Sequence, residues 1–227
     1  LWLKGTPNSP VPFVGGNVSF YNESTKGSQI DPSPIISCVG YLEDYRKAVT
    51  MQLKREGTQL FLIGDRKDEL GGSVYYDINN ETGANVPKVD FESERNRIHA
   101  VIDLIDAGLL ESCHDISDGG LLTAIAEMVL GGDADGAIGA SIDISFCSLR
   151  PDKTLFSESP GFVFEVMPEN KGKALQILKK YGIGPIPLGT TVGESKLTIT
   201  SRSKVLIELS NEKLKKAWTT GVPEAMR

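Results

Sequence analysis

Long apolar runs, histidine, paired cysteines and excess positive charge are scarce in this sequence, and each absence excludes something. No uninterrupted apolar stretch approaches the ~18–20 residues of a membrane-spanning helix, and no secretory leader is visible. Neither a membrane protein nor an exported one is expected. The three cysteines, Cys38, Cys113 and Cys147, are far apart and form no CxxC pair. That pattern is neither a disulfide framework nor a zinc site, and it predicts three small buried hydrophobes in a reducing cytosol. Lys and Arg number 24 against 30 Asp and Glu, for a net charge of −6. A general nucleic-acid binder needs a basic stripe, so that class is excluded. A nucleotide site is not, because a few amides and a metal ion suffice locally. The chain opens on Leu1 rather than Met, which reads as a processed, truncated or partly disordered protein.

What is present is ordinary globular composition: 40% hydrophobic and 24% charged residues over 227 positions. Domains usually run roughly 100–200 residues, so one domain plus part of another fits the length. The first 50 or so residues carry strand and loop signals but few helical ones. Val11–Val14 ends at Gly15-Gly16, and Pro34–Tyr41 is nearly continuous apolar sequence between turn formers. Both read as buried strands, joined by an exposed polar loop over residues 21–31.

From Gln59 the pattern alternates. Strands are expected at residues 59–63, 112–116, 137–144, 161–166, 186–192, 196–201 and 204–209. Helices are expected at 92–107, 120–130, 171–181 and 211–218, and the first stops at Gly108, a suitable residue just past a helix end. Together these predict an α+β domain with a mixed sheet and helices on one side. The join with the strand-rich first part falls near Arg55-Glu56-Gly57, giving units 1–55 and 56–227.

Three stretches have the residue types of a site. In Gly15-Gly16-Asn17-Val18-Ser19, the glycine pair admits close backbone approach, and Asn17 offers a carbonyl oxygen of the kind Mg²⁺ accepts. Ser19 adds a hydroxyl on the same side if the strand continues. The plainer reading is a turn in which Asn and Gly satisfy backbone geometry. In His114-Asp115-Ile116-Ser117-Asp118-Gly119-Gly120, Ser117 or Asp118 would cap a helix whose first amides form an anion site. The alternative is a capped helix with a tight glycine contact. His114 and Asp115, adjacent on a strand, should face opposite ways, which argues against an acid–base dyad. Leu155-Phe-Ser-Glu-Ser-Pro-Gly161 precedes a strand and reads as a ligand loop or as a cap for a neighbouring helix. Glu69-Leu-Gly-Gly-Ser73 is a further glycine turn beside an acid.

Taken in order, Gly15–Glu23, Glu69–Ser73, His114–Leu121 and Leu155–Gly161 resemble the second half of the phosphoribosylformylglycinamidine synthase subunit II (PurL) family, within the aminoimidazole-ribonucleotide-synthetase-like superfamily. The likeness runs over nearly the whole chain, and GNVSFYNE is its specific part. It implies a C-terminal-type lobe from residue 56 onward and the end of an N-terminal-type lobe before it. It also implies an ATP-dependent ligase of purine biosynthesis, which phosphorylates the amide oxygen of formylglycinamide ribonucleotide and displaces the phosphate with glutamine-derived ammonia. By motif, Gly16 would contact ATP, Asn17 would ligate Mg²⁺ and Ser19 would touch the substrate.

The family's proposed catalytic histidines, ATP-binding lysine and acidic metal ligands lie in its first half, so no catalytic residue is assigned here. The fragment alone is expected to be inactive. Implied partners are the remainder of the same polypeptide and separate glutaminase and small accessory subunits, in the cytoplasm. Family members often carry Arg just after Ser-Glu-Ser-Pro-Gly, where this chain has Phe162. Two alternatives stay open: an aminoimidazole ribonucleotide or selenophosphate-type synthetase, and a noncatalytic nucleotide-binding or scaffold module.

Overall fold

The computed structural model describes residues 11–17, 25–27, 35–131 and 138–225. From Gln59 onward the chain builds one seven-stranded sheet in the order β2-β4-β1-β5-β3-β6-β7. The strands are β1 (Gln59–Ile63), β2 (Ser112–Asp115), β3 (Gly139–Asp143), β4 (Phe162–Val166), β5 (Ile186–Val192), β6 (Lys196–Ser201) and β7 (Lys204–Ser210). Between and after them lie α1 (Val74–Ile78), α2 (Phe91–Asp106), α3 (Gly120–Leu130), α4 (Pro151–Phe156), α5 (Lys171–Lys180) and α6 (Asn211–Ala225). Among the described residues β3 and β6 pair in parallel and the other ladders are antiparallel. The expected α+β class with a mixed sheet is what the chain adopts.

The helices cover both faces of that sheet, which differs from the one-sided arrangement expected. The cause is visible in β1, where Leu60, Phe61, Leu62 and Ile63 are all buried. Successive strand residues point to opposite faces, so a continuous apolar strand needs cover on each. Leu60 and Leu62 pack with Leu121, Ile125, Met128 and Val129 of α3. Phe61 and Ile63 pack with Ala100, Val101 and Leu104 of α2 and with Ala174 and Leu178 of α5. On that second face the Phe61 and Phe164 rings stack with centroids 5.8 Å apart.

Helix ends follow local chemistry in one case and distant chemistry in another. Asp90 caps α2 by accepting the Ser93 amide at 2.7 Å, and Gly108 leaves the helix at φ 64°. At α3, neither Ser117 nor Asp118 supplies the expected cap; Gly119 holds that position in the left-handed region with no side-chain bond of its own. The helix α4, with Pro151 at its start, stands where no helix was expected.

The first part of the chain corrects two expectations. Residues 11–14 and 35–41 form no strand and are exposed, with Ile35 at 93% and Val39 at 100%. Pro34 lies outside the described residues. A strand exists only when a neighbour takes its amides and carbonyls, and no described segment pairs with either run. Attachment to the sheet begins near Thr50, whose carbonyl accepts the Cys113 amide at 3.3 Å, and Leu53 enters the core. The cysteines are also more exposed than expected: Cys38 is exposed and Cys113 and Cys147 are half-buried. Burial still pushes the Cys113 thiol up to about 12.

Candidate functional site

Gly16 and Asn17 lie in exposed chain without regular structure. A Cβ added at Gly15 or Gly16 would meet nothing within 4 Å, so no described segment presses on this glycine pair. Ser19 lies outside the described residues, as do Tyr21, Asn22 and Glu23. Among the described residues no group of three His, Cys, Asp or Glu side chains is placed to hold a metal ion. The donor proposed for Mg²⁺, an Asn carbonyl oxygen, suits a hard cation but supplies one ligand of about six.

The remaining stretches converge. Glu158 Oε1 accepts the amide of Gly119 at the start of α3 and the amide of Val74 at the start of α1, each at 2.9 Å. The Ser157–Gly161 loop is thus the cap of neighbouring helices, and its carboxylate fills the anion position expected at the glycine helix start. The loop is held in turn. Buried Glu69 accepts the Ser159 hydroxyl at 2.7 Å, and Arg66 donates to the carbonyls of Ser157 at 3.3 Å and Pro160 at 3.2 Å. Ser73 caps α1 by accepting the Tyr76 amide at 3.2 Å.

Two glycines make this crossing possible. A Cβ on Gly120 would lie 2.7–2.8 Å from backbone atoms of Leu155, Phe156 and Ser157, and one on Gly161 would lie 2.5 Å from the Ile63 carbonyl oxygen. The tight-glycine alternative for the Asp118-Gly119-Gly120 stretch is what the packing realises.

Sequence reasoning missed Arg66. Its neighbour Asp65 is an ordinary turn residue, and nothing local marks Arg66 for burial. The side chain is only 6% exposed, and burial first, then the nearby Arg97, lowers its guanidinium to about 10. It sits where the Ser157–Gly161 loop turns into β4, so the guanidinium beside this loop comes from Arg66 while Phe162 opens the strand.

His114 corrects another expectation. Its Nδ1 lies 3.1 Å from Asp115 Oδ1, and its Nε2 lies 2.8 Å from Glu127 Oε2 on α3. Asp115 is the last residue of β2, where the pleat ends and no longer holds adjacent side chains apart. The imidazole is a satisfied tie between β2 and α3, consistent with the structural role expected for it. His99 has a buried Nε2 without a hydrogen-bond partner among the described residues.

Residues 55–202 match the family model described as AIR synthase related protein, C-terminal domain. Over its whole length the chain is 48% identical to "Phosphoribosylformylglycinamidine synthase subunit PurL" of Methanothrix thermoacetophila, covering 29% of that protein. Among solved structures it resembles T. maritima PurL complexed with ATP, with a TM-score of 0.59 and 21% identity over 74% of this chain and 27% of that one. It equally resembles T. maritima PurL complexed with FGAR, with a TM-score of 0.61 and 21% identity over 74% of this chain and 29% of that one. These structural likenesses concern the fold. The chain spans less than a third of the curated relative it matches, at 29%.

Proposed function

This chain belongs to the AIR synthase related protein family, and on that premise we propose that it is the C-terminal part of a phosphoribosylformylglycinamidine synthase subunit of the PurL type. The observation that carries this reading is the 48% identity with a named PurL along the full chain, which includes the GNVSFYNE stretch. The reaction is ATP-dependent formation of an amidine from formylglycinamide ribonucleotide. An amide oxygen is a poor leaving group, and phosphorylation converts it into one that ammonia displaces. When bound, Mg²⁺ offsets charge on the transferring phosphoryl group.

In this reading Gly16 leaves room for the nucleotide, the Asn17 carbonyl oxygen is a metal ligand and Ser19 meets the ribonucleotide. Residues 1–55 belong to an N-terminal-type lobe that is completed by more of the same polypeptide, and residues 56–227 form a C-terminal-type lobe. The exposed apolar side chains of Ile35, Ile36, Val39 and Tyr41 support that division, because such a run requires a covering partner. Ammonia comes from a separate glutaminase subunit, assembled with a small accessory subunit in the cytoplasm. Among the described residues no helix is long and apolar enough to cross a membrane.

The test is an assay of the full-length protein with ATP, Mg²⁺, ammonia and formylglycinamide ribonucleotide, following amidine and ADP together. Stoichiometric formation of both is expected. ATP use only with the amidine, in a ring-closing reaction, would replace this reading with an aminoimidazole ribonucleotide synthetase.

A further inference from the structure

Asn211, Lys215 and Trp218 follow one another at spacings of four and three on α6, so they share one face of that helix. Leu214, beside them, packs against the buried cluster that contains Leu121, Ile125 and Met128 of α3. With α6 so anchored, its polar face meets Glu127 and Leu130 of α3 and Met51 of the incoming chain around a cavity of about 210 Å³. We propose that this cavity binds a free amino acid with an apolar side chain. Its ammonium goes to Glu127 and Asn211, its carboxylate to Lys215, and its side chain lies against Trp218, Leu130 and Met51.

Size comes first. A water's share of liquid volume is about 30 Å³, so the cavity has room for several waters or one small metabolite. It falls short of the ~300–1,000 Å³ typical of sites for larger ligands.

The polar atoms then say what the metabolite carries. Glu127 Oε2 lies 2.8 Å from His114 Nε2, which fixes the carboxylate, while among the described residues Oε1 has no hydrogen-bond partner. Asn211 Oδ1 is buried and likewise without a donor among the described residues. Two acceptors without donors suit an ammonium, which has three N–H groups to give. The Lys215 ammonium has no ion pair or hydrogen bond among the described residues, and a carboxylate is its natural acceptor.

Glu127 and Lys215 face the same space, yet no ion pair joins them, so each charge is left for a ligand. The wall thus carries one negative and one positive charge. A net-neutral zwitterion matches both; an amine alone would meet Lys215, and an acid alone would meet Glu127, each as a like charge. The apolar wall narrows the class further. Trp218 is 63% exposed, and an indole so placed gains from an apolar body laid against it. A sugar would turn hydroxyls toward Trp218, Leu130 and Met51 without partners for them.

Titration calorimetry of the full-length protein with L-phenylalanine tests this. Saturable binding is expected. 2-Phenylethylamine, which lacks the carboxylate, and 3-phenylpropionate, which lacks the ammonium, should each bind at least about tenfold more weakly, the loss of a charge-assisted hydrogen bond. Lys215 is exposed, so Lys215→Met should keep its melting temperature, weaken L-phenylalanine about tenfold and abolish its advantage over 2-phenylethylamine. Trp218→Ala should weaken all three compounds. The proposal is overturned if L-phenylalanine gives no saturable heat, if either analogue binds as tightly, or if folded Lys215→Met binds L-phenylalanine as the parent does. The cavity shares no residue with Gly16, Asn17 or Ser19, so its failure leaves the synthase reading standing, and the reverse holds too.

Discussion

Glu165 on β4 accepts the hydroxyl hydrogen of Ser112, its register partner on β2, at 2.8 Å in the fully buried interior. The same carboxylate accepts the amides of Lys54 at 3.0 Å and Arg55 at 3.2 Å and the Thr58 hydroxyl at 2.8 Å. Among the described residues it has no ion-pair partner, so these four donors are what keep it in place. They join the incoming chain to two strands at once. Glu165→Ala strands two backbone amides and two hydroxyls, and it should cost about 3 kcal/mol or more. Urea unfolding of the variant would measure this, and an unchanged midpoint would remove Glu165 as an anchor.

Asn17→Leu in the full-length enzyme separates ligand from turn. Loss of a metal ligand lowers turnover by about 100-fold or more and leaves the melting temperature unchanged. A variant that melts early but keeps its rate and Mg²⁺ dependence would end the assignment.

Limited proteolysis of the isolated chain should cut first within residues 1–55. The largely exposed stretch from Ile35 to Lys47 holds only a single helical turn, over Tyr45–Lys47. First cuts inside α3, whose Leu121 and Ile125 are fully buried, would contradict the division at residue 55. The purified chain should also show no amidine-forming turnover.

Gly120→Ala should cost about 3 kcal/mol. Its φ is 73°, and the new Cβ would press within 2.8 Å of the backbone leading out of α4. Thermal unfolding reads this out, and a neutral substitution would show that α4 moves freely.

Acid should fray the start of α2. The Ser93 backbone amide holds the Asp90 carboxyl below its ordinary value. A group whose pKa is lowered by folding contributes its stability above the unfolded value and loses it as pH falls through the folded one. Ser93 amide exchange should therefore rise as pH drops below the ordinary carboxylate range, beyond the intrinsic trend. In Asp90→Asn that additional rise should disappear.

The sequence made the lobe from Gln59 onward legible because its signals are local. Apolar runs bounded by turn formers marked β1, β5 and β6 at their observed limits, and Gly108 marked the end of α2. Helix α4 is short, and its signal, Pro151, is shared with turns. Residues 35–41 have the composition of a strand, but a strand is a relation between segments and the partner is not among the described residues. The site was legible as motifs and not as geometry. That Glu158 would cap a helix begun at Gly119, or that Arg66 would be buried, depends on contacts between residues far apart in the chain. Gly16 and Asn17 stand where motif likeness put them, and their roles rest on that likeness.

Because one oxygen of Glu158 serves both Val74 and Gly119, the starts of α1 and α3 do not open independently. Any event that swings this carboxylate outward releases both amide protons together, and any event that shields it protects both. Hydrogen exchange at these distant positions should therefore run on one clock, with matching rates that shift together when Glu158 is replaced.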